Sequence, residues 1–323
     1  MAGLRSEEYV KSVLVAKHGL SEGEASNIAQ QVGHHAINAV GFLRQAYAGP
    51  VELSYLPLYY AVLSLSKVYI LCSSGVEALR DNPRHGASFP PSQLCSPLNH
   101  TISIWPNGIF PLFYQVLTGR KPEWEKIDVG TLIHLVPCIE SELKFAFGKT
   151  PALCALDIYV EELGANSFRL KVEISKRHGV PTLPGSLALL KSSKLTLENS
   201  TASKDTFVGE PSEGPELQDA SLRLAGNIPR ELLYYRPAPF FANMMTSTPS
   251  NSDFAVPEEI PLWLLFFWLS NLVRYSPEWL STLQGTSLWP ILLTLRKHAA
   301  LRFLILFWSF FHQTSFGIKA GTI

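Results

Sequence analysis

Residues 56–74, LPLYYAVLSLSKVYILCSS, are apolar on nearly every face of a helix, and only Ser64, Ser66 and Lys67 interrupt the pattern. A helix of that kind has to be surrounded, because no face of it suits water. Pro57 falls near its first turn, where a missing N–H costs little. The spacing therefore predicts a central helix, and the rest of the chain must be arranged to cover it. Lys67 is expensive to bury without compensation, so an acidic or carbonyl partner is expected for it. Two more apolar runs lie near the C-terminus, IPLWLLFFWLSNLV (260–273) and LRFLILFWSFF (301–311). Both are shorter than the ~20 residues a spanning helix needs, and Arg274 and Arg302 cut into them. No membrane span is expected. These runs read as buried core helices or as an oligomer interface. An isolated helix over 301–311 would leave an apolar patch, so either the core covers it or a partner does. The reading favours a partner, most simply a symmetric copy, with Trp263, Phe267, Phe303, Phe307 and Trp308 at the interface.

The composition suits a folded chain of one large domain or two small ones. Of 323 residues, 46% are apolar and 17% charged, too hydrophobic for disorder and low enough in charge to suggest a covered surface. Lys plus Arg equals Asp plus Glu at 27 each. Proteins held on nucleic acid by general electrostatics carry a basic excess, which is missing here. The four cysteines are scattered, without the clustered spacing of a zinc cage or disulfide framework. The N-terminal stretch has acidic residues and few apolar ones, unlike a signal peptide. The expected setting is cytoplasmic.

Along the chain, Ser21 and Glu24 have capping-box spacing and open a helix whose apolar face includes Ala25, Ile28, Ala29, Val32, Ala36, Ala39, Val40, Leu43 and Tyr47. Gly49-Pro50 ends it. Residues 80–108 are proline-rich and read as irregular. Helical spacing returns over 107–119 and 129–147, with Thr131 as a cap for the second. Residues 155–163 and 168–175 alternate apolar and polar around Gly164-Ala165-Asn166, a β-hairpin signal. Residues 203–221 read as a mobile loop. The expected fold is mainly α: a helical domain built from N- and C-terminal halves (1–150 and 226–323), with a β-rich, hairpin-containing insertion and its mobile loop between them (151–225).

Several segments, taken in order, resemble the YaaC-like family of prokaryotic proteins: LPLYYAVLSLSKVYIL (56–71), His85-Gly86, NGIFPLF (107–113), VGTLIHLVPCI (129–139) and RYSPEW (274–279). The resemblance spans about residues 50–312 and is weakest in the middle. It implies a prokaryotic, cytosolic setting and no established reaction.

Arg80-Asp81-Asn82-Pro83-Arg84-His85 is similar to the R-x4-6-H motif of HEPN-type ribonucleases, which are helical, usually dimeric, and metal-independent. That similarity implies His85 as general acid or base and Arg80 as the phosphate clamp. Lys67 is a possible supporting catalytic residue. In that family the motif opens a helix, whereas Pro83 and Gly86 place it here in a loop. Arg84, Lys176 and Arg177 are the candidate nucleic-acid contacts. His34-His35 point to different faces and cannot share a metal as an i, i+4 pair can, and no metal or cofactor is expected. No phosphate-loop, dinucleotide or nucleophile-elbow motif occurs. Glu161-Glu162 and Glu140/Glu142 read as solvated. The functional expectation is an oligomeric interaction or defence-associated component, with an RNA-cutting enzyme as the alternative.

Overall fold

A computed structural model describes residues 6–90, 96–148, 153–164, 167–175, 195–213, 234–236, 241–245, 257–299, 301 and 303–305. Helices hold 61% of the described residues, so the fold is mainly α. The chain divides into two compact units.

The first unit gathers Met1–Ile133, Ser141–Lys149 and Glu259–Thr314. Its helices are α1 (Glu7–His18), α2 (Glu22–Ala48), α3 (Tyr55–Arg80), α4 (Ile109–Thr118), α5 (Val129–His134), α6 (Glu140–Phe147), α7 (Glu259–Tyr275), α8 (Pro277–Leu283) and α9 (Leu288–Thr294). The capping box forms: Ser21 Oγ accepts from the Glu24 N–H, and Glu24 Oε2 accepts from the Ser21 N–H. The buried face of α2 is mostly alanine (Ala25, Ala29, Ala36, Ala39, Ala46), which lets it lie close along α3. Val40 and Leu43 sit at the edge of that face, and Tyr47 is exposed. α3 is buried on nearly every side from Tyr55 to Cys72, packed on α2, α4 and α7. By length and composition α3 could cross a membrane, yet 72% of its most apolar window is covered by the unit. Burial raises the Cys72 thiol to about 12, so it stays protonated.

The stretch 80–108 is irregular over much of its described length, as read, and also contributes two short strands that the reading missed. β1 (Ala87–Ser88), β2 (Thr101–Ile104) and β3 (Lys126–Asp128) form an antiparallel sheet in that order. The cap of α5 is also corrected: Asp128, not Thr131, accepts the Thr131 N–H and hydroxyl, both at 2.6 Å. Pro137 separates α5 from α6, dividing the single helix expected over 129–147.

The second unit comprises His134–Glu140, Thr150–Glu258 and Ser315–Ile323. The hairpin forms from β4 (Leu153–Gly164) and β5 (Ser167–Ser175), with Val160 opposite Leu170 and a register shift between Glu162 and Gly164. Alternate residues Phe168, Leu170, Val172 and Ile174 are buried. β6 (Thr196–Ser200), β7 (Lys204–Val208), β8 (Ser212–Glu213), β9 (Tyr234–Arg236) and β10 (Phe241–Met245) complete a seven-stranded antiparallel sheet ordered β6-β7-β5-β4-β10-β9, with β8 on β5. Two expectations change. Residues 204–208 are strand rather than loop, because Phe207 enters the core beneath β5 pairing. Residues 234–236 and 241–245, placed in the expected helical half, are strands: β10 pairs with β4, and β9 with β10.

Candidate functional site

The segment after α3 is held by backbone geometry. α3 breaks its helical path at Gly75 (φ 76°, ψ −176°) and resumes for one last turn to Arg80. The loop that follows is clamped to the start of α4. Asn82 Oδ1 accepts from Gly108 N–H at 3.2 Å, Arg84 C=O from Ile109 N–H at 2.8 Å, and His85 C=O from Phe110 N–H at 2.9 Å. These bonds satisfy N–H groups that a helix start leaves orphaned. Gly86 (φ 82°) and Gly108 (φ 129°) lie back to back, and a Cβ on Gly108 would stand 2.5 Å from Gly86 Cα. The His85-Gly86 pair and the NGIFPLF segment are therefore two sides of one contact.

That clamp sets His85 half-buried, with Nδ1 2.6 Å from the Tyr59 hydroxyl. Tyr59 is packed edge-on by Trp263 (5.4 Å) and Phe267 (5.5 Å). Burial pushes the Tyr59 phenol above its ordinary range, so it keeps its proton. Burial, and then the Lys67 charge, hold the His85 imidazole below its usual value. Both rings are neutral near pH 7.

Beside them is a cavity of about 420 Å³ lined by Gln31, His35, Lys67, Val76, Leu79, Arg80, Pro83 and Ile109. No carboxylate is among these residues. Half-buried Lys67 makes no hydrogen bond or ion pair among the described residues, which corrects the expected acidic or carbonyl partner. Burial lowers its pKa. His35 is depressed to about 4 by burial, then by Lys67, then by His34. Arg80 is largely exposed and pairs with Glu77 one turn back. The cavity thus carries one uncompensated cation, one exposed guanidinium, two neutral polar groups and an apolar wall.

Arg80 and Lys67 share this cavity, while His85 reaches it electrostatically through Lys67. Arg84 is exposed and contributes its carbonyl to the α4 clamp. Lys176, Arg177, Phe307 and Trp308 lie outside the described residues. The interface assignment is corrected for the other three: Trp263, Phe267 and Phe303 are 0%, 5% and 0% exposed, buried in their own unit. Trp263 stacks on Phe267, and Phe303 packs on Phe113, so rings that read as surplus in the sequence fill the core around α3 and α4. Of the acids, Glu161 is bonded to Arg169 across the hairpin, and Glu142 accepts from Thr294 at 2.7 Å.

Sequence reasoning missed Gln31, Tyr59 and the cavity role of His35. Gln31 and His35 stand at i, i+4 on α2, a shared-face signal, but their counterpart on α3 comes from packing alone.

No curated protein and no solved structure matches this chain. A family model described as YaaC-like Protein matches residues 3–311, and the chain belongs to the YaaC-like family.

Proposed function

We propose that this chain is a cytoplasmic interaction component that acts by binding and not by cutting RNA. Its N- and C-terminal helical segments form one body, with the β-rich segment inserted between them. The packing of α3 against α7 supports that layout.

The Tyr59–His85 hydrogen bond carries the functional reading. Tyr59 is 1% exposed, and a buried phenol has to give its proton to an acceptor. The acceptor it meets among the described residues is His85 Nδ1, so the imidazole proton sits on Nε2. A general base toward a ribose hydroxyl needs Nε2 bare. Reversing the tautomer would strand the Tyr59 proton in the core, at a cost of about 1–3 kcal/mol. A general acid needs the imidazolium, which burial and Lys67 disfavour. What remains is a set of donors around a cavity, which is the equipment of a binding site.

The test is incubation of the purified chain with a mixed RNA pool beside the His85→Ala variant. We expect both proteins to leave the RNA intact. Cleavage by the unaltered chain that His85→Ala abolishes would overturn the binding reading and restore the ribonuclease one.

A further inference from the structure

We propose that the cavity between α2 and the last turn of α3 binds a small phosphomonoester, its phosphate on Lys67 and Arg80 and its uncharged body against Val76, Leu79 and Ile109. The inference rests on the binding reading above and names its ligand class.

Four observations lead there. Lys67 is a half-buried cation with no anion beside it among the described residues, and such a group is expensive to keep unless something supplies the countercharge. The other polar lining groups, Gln31, His35 and Arg80, can all donate, and no carboxylate lines the cavity to repel an anion. A phosphomonoester brings a charge of about −1.5 to −2 and three acceptor oxygens, which matches two cations and two neutral donors better than a single carboxylate does. The rest of the lining, Val76, Leu79, Pro83 and Ile109, is apolar, and a cavity of about 420 Å³ is of the size that small-molecule sites have.

Arg80 can turn to the ligand cheaply, because its pair with Glu77 is exposed and such pairs are weak. Beyond the Gly75 break, the last turn of α3 supplies Val76, Leu79 and Arg80 to the cavity lining.

Calorimetric titration of the full chain tests this with three probes: adenosine 5′-monophosphate, adenosine and inorganic phosphate. We expect the monophosphate to bind more tightly than either fragment, and Lys67→Met to weaken it by about tenfold or more, the scale of a lost charge-assisted contact. Arg80→Gln is the second variant, on an exposed residue whose loss leaves the fold intact, and it should weaken the monophosphate and not adenosine. Adenosine binding as tightly as the monophosphate, no binding of any probe, or unchanged affinity in both variants would overturn the proposal. None of those results would make the chain cut RNA, so they leave the binding reading separately testable.

Discussion

His35 shows how a residue's surroundings change its chemistry. In water an imidazole titrates near 6.5, but here burial and the nearby Lys67 charge hold it to about 4. The sign of the stability effect follows from linkage. Between pH 6.5 and 4 the unfolded chain takes up a proton at this position and the folded chain does not, so stability falls as pH falls through that window. The share due to His35 is on the order of 2 kcal/mol, since each tenfold loss of proton affinity is worth about 1.4 kcal/mol and the ring is only partly buried. His85 is displaced in the same direction and adds to it. We expect urea midpoints measured at pH 7.5 and pH 4.5 to differ less in His35→Gln than in the unaltered chain. An identical pH dependence in the two proteins would contradict the placement of His35 beside Lys67.

At the scale of elements, the two glycines of the α4 clamp and the glycine inside α3 make different demands. Gly108 combines a positive φ with a neighbour at 2.5 Å, and that neighbour is backbone, which cannot step aside. Gly75 has a positive φ and open space around it. We expect Gly108→Ala to cost roughly 3 kcal/mol or more and Gly75→Ala about 1 kcal/mol, read as thermal or urea unfolding. Equal effects would mean that the loop does not meet α4 as described. These elements also show which parts of the fold were legible in the chain. The α2 capping box, the buried sweep of α3 and the β4–β5 hairpin are local patterns of spacing, and they could be read directly. The Gly75 break, the clamp between residues 82–86 and α4, and β7 depend on partners far along the chain. Ser and Asp around Phe207 look like loop until β5 supplies the pairing. The same holds for the site. Arg80, His85 and Lys67 were found from residue type, while Tyr59 and Gln31 gain meaning only from what packs on them.

Both ends of the chain build the surroundings of one histidine. α3 contributes Tyr59, the loop before α4 contributes His85, and α7, some 200 residues later, contributes Trp263 and Phe267, which pack around Tyr59. Among the described residues of the aromatic C-terminal segments, Trp263 and Phe267 are thus spent inside their unit, on the core that makes Tyr59 a buried donor. On the binding reading proposed above, this arrangement holds a neutral imidazole beside a basic cavity and withholds the bare nitrogen that RNA cleavage would need. The most direct measurement is a long-range nitrogen–proton NMR spectrum of histidine-labelled protein at pH 7, with His85→Ala used to assign the His85 ring. We expect the proton on Nε2 and a bare, hydrogen-bonded Nδ1. A ring protonated on Nδ1 with Nε2 bare, or an imidazolium at that pH, would contradict the account and return His85 to the role of a catalytic base or acid.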